Sequence, residues 1–539
     1  MLHTSPGEAP RPRRARPTIG LLTHGAGDPN SQAVWEGVQS AAREHDAHVI
    51  SFPGKPLRSP HGFEAQSNIV YELAGPENVD GLVIWSGALC HRVDLPVITD
   101  FCRRYLPLPM VTIGHPPVEG IPGVMLDNYQ GMHDVITHLV EFHDLTRIAF
   151  IRGPQPQPEA EQRYQAYLHV LAEHDIPLDP ALVVEGNFRD SAGTAAIREL
   201  LDVRGVQFDA LVAAADNMAL SAMKALQRRG LRIPGDIAVA GLNDEPQGRF
   251  VTPPLTTATF RSYEMARRAT EMLLALLQGK PVPERVLLTS RLLVRQSCGC
   301  PDPLVSEAAE MPPHTHDRPL AGGLVARRGA ILADMAECWE LMMEAAPASQ
   351  LERLWDVFVE ETAGRASGSF LPALAEILQE TEDTEGSVSR WHSVISTLRR
   401  ESLPYLRDRS AGLRAENLLQ QARVMLSETG QRAQAYQALR AQEEARIMAG
   451  IGQALGNAVS LADIEQAIVQ AIPRLGIRQA HLALYEKPAA GAISARLIMS
   501  CDEDGPLTPQ IEGRTFPARQ LVPVDLPAER RCDLLVEPL

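Results

Sequence analysis

The stretch from Phe208 to Thr257 constrains the fold of this chain more than any other. Phe208 to Ala214 is a short, almost wholly apolar run, which is typical of a strand buried on both faces. Met218 to Arg229 then carries apolar residues at helical spacing, and Gly230 suits the left-handed position that follows a helix. Ile237 to Leu242 is a second apolar run. The pattern predicts a strand–helix–strand unit of a parallel sheet.

Polar side chains follow both predicted strands of this unit. Asp216 and Asn217 come after the first strand, and Asn243, Asp244 and Glu245 come after the second. Ligands of open parallel sheets bind at the carboxyl ends of the strands. We therefore expect a binding site at this edge of the sheet.

The same residues carry a family resemblance. The segment AAADNMALSAMKALQRRGLRIPGDIAVAGLNDEP, followed by TPPLTT, resembles the signature of the lactose-repressor (LacI) family of sugar-responsive regulators. Asp127 before a predicted helix and Arg163 followed by Tyr167 add to the likeness. The resemblance covers residues 17–297 and implies the two-lobed fold of type I periplasmic binding proteins.

Alternating strand and helix patterns agree with that α/β fold of doubly wound parallel sheets. The first series of predicted strands is Thr18–Thr23, Val49–Phe52, Asp80–Trp85 and Met110–Ile113, and Gly123–Asp127 opens a second series. By analogy with the family, Thr259–Gln278 rejoins the first lobe and Val286–Arg295 returns to the second. The predicted ligand-binding domain is residues 18–300, with lobe one at 18–120 plus 258–280 and lobe two at 121–257 plus 281–297.

Proteins bind a polyhydroxylated ligand with planar polar side chains, which form paired hydrogen bonds to its hydroxyl groups, and with the face of an aromatic ring. Seven residues are the candidates for such a site: His24, Trp85, Asp127, Arg163, Asp216, Asn243 and Asp244. The resemblance implies that Arg163 reaches into the cleft and that Asp127 lies at a lobe crossing. Trp85 at a strand end offers a stacking face.

Simpler structural roles remain open for the same residues. Asp216 suits the cap of the following helix, and Asn243 and Asp244 suit a turn. Arg163 could lie on a helix surface, and Trp85 could belong to the core.

Two positions depart from the family pattern. Ala215 precedes Asp216 where the family usually has Asn, and Asn243 stands where Asp is usual. The expected effector is therefore a small polar metabolite, carbohydrate-like, whose identity the sequence leaves open.

Composition and motifs exclude several classes of protein. The net charge of −16 argues against a broad nucleic-acid footprint, although residues 1–17 form a basic tail, either disordered or an arm for nucleic acid. The first half lacks a Walker loop, a GxSxG elbow, an HExxH helix and a Rossmann fingerprint, so we expect neither catalysis nor a cofactor. No apolar run approaches the roughly 20 residues that span a bilayer, and no signal peptide is recognisable, so we expect a cytoplasmic protein.

The seven cysteines are an odd, scattered set, which is typical of reduced thiols. Cys298 and Cys300 form the one close pair. Because a structural zinc site needs four ligands, this pair alone predicts inert thiols and no metal. A redox role or a shared metal is the alternative.

Members of the resembling family begin with a helix-turn-helix of about 60 residues. Here the first predicted strand starts at Thr18, so we expect the DNA-binding helix-turn-helix to be absent at the N-terminal end. Contact with DNA would then depend on an unidentified module or partner.

The second half has a different character. Residues 301–319 read as a linker and residues 320–445 as a helical segment. Within Ala411–Ala458, apolar and small residues recur at heptad spacing and form one seam. This seam predicts either a coiled coil, and hence a homodimer, or an ordinary bundle helix. The seam residues are Ala415, Leu419, Ala422, Leu426, Thr429, Ala433 and Tyr436. Residues 446–539, with a helix at Leu461–Leu475 and strands at Gln479–Tyr485 and Ala495–Ser500, resemble the start of a GAF-type sensor domain. We expect this last domain to be partial and the C-terminus truncated.

These observations predict a ligand-responsive transcriptional or signalling regulator. A metabolite would bind between the lobes, and closure would pass to the helical and GAF-like region. Two alternatives remain: the sensory half of a diguanylate cyclase or histidine kinase whose catalytic module lies beyond this chain, and an interaction scaffold without a ligand.

Overall fold

The computed structural model describes residues 16–309 apart from 26, 60–61, 91–92, 94, 115–119 and 156, and then 323–340, 347–380, 387–406, 408–486, 494–502, 505–506, 514–517, 519–521 and 531–536. The chain divides into two compact units. The first contains residues 1–300 and 479–539, and the second contains residues 301–478. Most of the predicted basic tail and linker lies outside the described residues.

Strands and helices alternate through the first 300 residues, as predicted. The strands are β1 (Thr18–Thr23), β2 (His48–Pro53), β3 (Gly81–Ile84), β4 (Met110–Ile113), β5 (Gly123–Leu126), β6 (Ile148–Ile151), β7 (Val183–Val184), β8 (Ala210–Ala213), β9 (Ala238–Ala240), β10 (Thr257–Ala258), β11 (Arg285–Leu288) and β12 (Leu292–Leu293). The helices are α1 (Pro29–Glu44), α2 (Gly62–Ser67), α3 (Ser86–Leu89), α4 (Leu95–Arg103), α5 (Asn128–His143), α6 (Pro158–Glu173), α7 (Asp190–Ile197), α8 (Asp216–Arg228), α9 (Pro246–Phe250) and α10 (Ser262–Leu277). Short 3₁₀ turns lie at Asn68–Leu73, Pro180–Leu182 and Gln296–Cys298, and a π turn extends α7 at Arg198–Val203.

Lobe one is built on a parallel sheet with the order β11-β5-β4-β3-β1-β2. All six residues of β1 are buried, in agreement with its uninterrupted apolar pattern. Helices α1 and α10 pack together on one face, and their close approach depends on Gly37. A Cβ there would come within 2.3 Å of the carbonyl oxygen of Tyr263, so a larger residue would force the helices apart.

Lobe two is built on a second parallel sheet with the order β7-β6-β8-β9. The predicted strand–helix–strand unit forms β8, α8 and β9 at its centre, and β8 is buried throughout. The core around it is continuous from Met132 on α5 to Cys298. Each lobe therefore has its own hydrophobic core.

The lobe boundaries differ from those predicted. Strands β5 and β11 pair with each other and belong to the sheet of lobe one, although the sequence placed both in lobe two. The chain therefore crosses after Leu126, between Ala258 and Ser262, and after Leu288. The prediction placed the first and third crossings between the lobes too early in the chain. The reason is that the sequence of an apolar strand does not indicate which of the two sheets it joins.

The second unit is helical. Its helices are α11 (Pro303–Ala309), α12 (Gly323–Ala326), α13 (Arg328–Glu340), α14 (Ala348–Thr362), α15 (Phe370–Glu380), α16 (Ser387–Ser402), α17 (Arg409–Gly456) and α18 (Leu461–Ala471). A single core unites α13 to α17 and contains Trp355, Phe358 and Trp391. The predicted long helix is α17, with 48 residues. The first half of its heptad seam is buried in this core, so that half packs as a bundle helix.

Five short strands follow in the described C-terminal residues: β13 (Gln479–Glu486), β14 (Ser494–Asp502), β15 (Gly505–Pro506), β16 (Thr515–Pro517) and β17 (Asp533–Leu535). Strands β13 and β14 are antiparallel, as predicted. Strand β17 instead extends the sheet of lobe one by pairing in parallel with β2. The GAF-type identity of this region stays a prediction.

Candidate cleft between the two lobes

The two lobes touch across a cleft at the carboxyl ends of their strands. Gln157, which precedes α6 of lobe two, donates from Nε2 to the carbonyl oxygen of Gly87 in lobe one at 3.3 Å. Asn30 of α1 donates to Glu245 after β9 at 2.7 Å and accepts from Ser262 at 2.8 Å. These hydrogen bonds connect the two lobes directly.

Glu159 on α6 points at two glycines of lobe one. A Cβ built on Gly87 would lie 3.1 Å from Glu159 Oε1, and one built on Gly114 would lie 3.5 Å from the same oxygen. The side chain is 6% exposed. Both glycines therefore leave room beside the carboxylate that a larger residue would fill.

Several buried polar atoms at this cleft have no hydrogen-bond partner among the described residues. They are Gln157 Oε1, both carboxylate oxygens of Glu159, and Asn243 Oδ1. All four are acceptors. Because an unpaired buried acceptor costs about 1–3 kcal/mol, the arrangement suits a ligand rich in hydroxyl or amine donors.

Arg163 lies one turn after Glu159 on α6 and is buried, so it is not a surface residue. Its Nε and Nη2 donate to Asn128 Oδ1 at 3.0 and 2.8 Å, and Nη1 donates to the carbonyl of Ala214. Burial lowers the pKa of the guanidinium to about 10, against the charges of Glu159 and Asp216. Arg163 thus fastens α6 to α5 and to the end of β8.

Asp216 is fully buried at the first position of α8. Its carboxylate accepts from Thr257 Oγ1 at 2.7 Å and from the backbone N–H of Glu245 at 2.9 Å. It does not cap its own helix through the side chain, which was the simpler alternative. Burial raises the pKa of Asp216 to about 7, although the two hydrogen bonds act in the opposite direction.

Asn243 and Asp244 follow β9, where Asn243 forms an isolated parallel bridge with Thr259, and both have positive φ, at 138° and 54°. Asp244 accepts from Arg295 at 2.6 Å and pairs with Arg249 at 2.5 Å. Its carboxylate is therefore engaged by two arginines. Asn243 keeps a buried amide oxygen at the cleft, and it is the better ligand candidate of the two.

His24 and Trp85 form the aromatic part of lobe one. Their rings meet edge to face with centroids 5.2 Å apart. Trp85 is 4% exposed, and burial lowers the pKa of His24. Nε2 of His24 lies 3.6 Å from Asp28, which caps α1 by accepting from the backbone N–H of Ser31.

Asp127 has a structural role at the first lobe crossing. It is the N-cap of α5 and accepts from the backbone N–H of Gln130 at 2.9 Å. Its own N–H donates to the carbonyl of Leu288 on β11 at 2.8 Å. The neighbouring Asn128 contacts Arg163 instead.

Sequence reasoning missed Gln157 and Glu159. Both lie in the segment PQPQPEAEQRYQAY, in which five acidic or amide side chains precede Arg163 and none stands at a strand tip. The usable signal was the placement of Glu159 four residues before Arg163, one helical turn away on the same face.

Comparisons with known proteins agree with this architecture. Residues 136–298 match the family model of the periplasmic binding protein-like domain. The regulator CelR of Thermobifida fusca is 35% identical over 230 residues, which are 42% of this chain and 65% of CelR. The repressor CytR of Escherichia coli K12 is 28% identical over 281 residues, which are 52% of this chain and 79% of CytR.

The first half of the chain contains a periplasmic binding protein-like domain. LacI-family regulators are its homologues over about half of the chain, and the chain spans just under two thirds of CelR. A solved complex of CelR with cellobiose is 30% identical and covers 52% of this chain and 84% of its own, with a TM-score of 0.45. The matched relatives are named as transcriptional regulators and not as enzymes.

No helix within the described residues is both long enough and apolar enough to cross a membrane.

Proposed function

We propose that this chain is a ligand-responsive regulator whose periplasmic binding protein-like domain takes a small polyhydroxylated metabolite between its lobes. The observation that carries the proposal is the set of unpaired buried acceptors on Gln157, Glu159 and Asn243. Vicinal hydroxyls of a sugar or a polyol supply paired donors of the kind that a carboxylate such as Glu159 accepts. The relatives CelR and CytR, which are regulators, support the regulatory part of the proposal.

Closure of the cleft is the event that a ligand would favour. The contacts Gln157 to Gly87 and Asn30 to Glu245 connect the lobes, and a ligand that adds bonds to both lobes binds this arrangement more tightly than one in which the lobes are apart. The change would pass through Cys300 into the helical residues 301–478 and onward to the GAF-like region. The output is transcriptional or signalling regulation in the cytoplasm, and contact with DNA would need a further module or partner.

A thermal-shift screen of the full chain tests the proposal. The probes are mono- and disaccharides, with cellobiose among them, together with nucleosides and polyols. A ligand at 100 times its dissociation constant stabilises the domain by about 2.7 kcal/mol. The full chain is required because β17 and Leu534 pack onto lobe one, so a fragment ending at residue 300 would lose part of that lobe.

Glu159→Gln is the variant that identifies the site. It keeps the size of the side chain and removes the charge, so we expect the response to the hit to be lost. Glu173→Gln, on the exposed end of the same helix, is the matched control and should respond like the parent chain. A chain that responds to no member of the library would favour the scaffold alternative.

A further inference from the structure

Two pairs of metal-ligating side chains meet at the end of lobe two. His138 and His143 lie on the last turns of α5, and Cys298 and Cys300 lie where the chain leaves the domain. One ligand atom from each of the four residues lies within 4.8 Å of the other three. Sequence reasoning saw only the cysteine pair, and that pair alone was too small for a metal site.

The distances between these atoms are those of ligands around one small ion. Cys298 Sγ lies 3.6 Å from His138 Nε2, and Cys300 Sγ lies 3.5 Å from His138 Nε2 and 3.3 Å from His143 Nε2. Tetrahedral zinc, with bonds of about 2.3 Å to sulfur and about 2.05 Å to nitrogen, separates sulfur and nitrogen ligands by about 3.5 Å. Three of the six ligand–ligand distances therefore match such a site, and the other three are no longer than 4.8 Å.

The backbone between the two cysteines is shaped for this meeting. His138 and His143 both belong to the last turns of α5, and the helix ends at His143, where Asp144 adopts the left-handed conformation with φ 54°. Gly299 has φ +114°, and a Cβ there would lie 3.3 Å from the ring of His143. The left-handed turn at Gly299 thus lets the segment from Cys298 to Cys300 approach the end of α5 closely.

The surroundings support a bound thiolate. Thr256 Oγ1 lies 3.1 Å from Cys298 Sγ and can donate to it, in the manner of the outer contacts that orient metal ligands. Cys298 is buried, whereas Cys300 and His143 are partly exposed, which leaves a path for the ion.

We propose that His138, His143, Cys298 and Cys300 bind one structural zinc ion, which ties the exit of the ligand-binding domain to helix α5. Binding replaces the two thiol protons by one Zn²⁺ and releases both protons to solvent. All four protein ligands fill the tetrahedral shell, as structural sites require, so no position is open for catalysis. The ion would fix the point at which the chain continues into residues 301–478.

The test uses the full chain, purified without an oligohistidine tag and with a phosphine reductant. We expect one zinc per chain by mass spectrometry of the metal, retained through buffer exchange and released when a mercurial blocks the thiols. Replacement by Co²⁺ should give the intense visible bands of tetrahedral cobalt together with a thiolate charge-transfer band. The cobalt spectrum is measured on the parent chain, so this test does not depend on the folding of any variant.

Cys300→Ser and His143→Gln should each lower the zinc content well below one per chain. The matched controls are Cys338→Ser in the helical unit and His174→Gln on lobe two, and both should keep the full content. The proposal is overturned if the reduced chain takes up no zinc on reconstitution, or if the zinc content of the Cys300→Ser and His143→Gln variants equals that of the parent chain.

Discussion

At the scale of single residues, the cleft contains two kinds of charged group. Arg163 and Asp244 are saturated by protein partners, whereas Glu159 is buried with its carboxylate oxygens unpaired among the described residues. The first two hold the lobe together, and the third is available to a ligand. A residue that a motif singles out can thus serve the fold.

Arg163→Ala should destabilise the chain whether or not ligand is present. The change leaves Asn128 Oδ1 and the carbonyl of Ala214 without donors, at a cost of about 3 kcal/mol. Calorimetry of the ligand-free chain should show a melting temperature lower by several degrees. Arg163→Lys keeps the charge but cannot serve both partners, so it should lie in between. A melting temperature equal to that of the parent chain would contradict the assigned role.

Asp216 predicts a specific dependence of stability on pH. Its pKa in the fold is about 7, above the value of about 3.9 of an unfolded aspartate. The native state therefore keeps the proton of Asp216 to a higher pH than the unfolded state does. The stabilisation that results is complete below pH 4 and declines as the pH rises toward 7. Asp216→Asn should remove that decline, because the amide can still pair with Thr257 and the N–H of Glu245.

Urea denaturation between pH 4 and pH 8 measures this effect. The stability of the Asn variant relative to the parent chain should rise across that interval, by about 1.4 kcal/mol for each unit of pKa shift, and level off above pH 7. Parallel profiles for the two chains would show that Asp216 is ionised in the fold.

At the scale of elements, apolar runs and helical spacing were sufficient to find β1, β8 and α8. The polar residues after β8 and β9 lie at the carboxyl ends of those strands, as the sequence indicated, and a ligand site at this edge stays a prediction. The crossings were misplaced, because an apolar strand such as β11 fits either sheet equally well. Gln157 and Glu159 could not be found from strand tips, since their position depends on how α6 lies against Gly87.

Helix α17 gives a prediction about assembly. Leu419 is 1% exposed in the helical core, whereas Leu439, further along the same helix, is 64% exposed. Leu419→Ala should lower the free energy of unfolding by about 2–5 kcal/mol. Leu439→Ala should leave the isolated chain's stability unchanged.

The same pair of variants tests the proposed homodimer. If the second half of α17 forms a coiled coil between two chains, Leu439→Ala should weaken the dimer in light scattering across a dilution series. A dimer whose dissociation is unaffected by Leu439→Ala would place the interface elsewhere.

At the scale of the whole molecule, the chain leaves the two-lobed unit after Cys300, forms the helical unit, and returns to the first unit at Gln479. The sequence predicted both parts from their patterns. It could not predict that β17 returns to the sheet of lobe one, because the sequence of a three-residue strand does not specify a pairing partner more than 480 positions away.

Hydrogen–deuterium exchange of the full chain, with and without the metabolite found by the thermal-shift screen, shows where that ligand binds. We expect slower exchange on both sides of the cleft, in residues 85–89 of lobe one and in 157–163 and 243–246 of lobe two, and no such change in Glu159→Gln. Protection confined to a single lobe, or located away from these segments, would contradict a ligand held between the lobes.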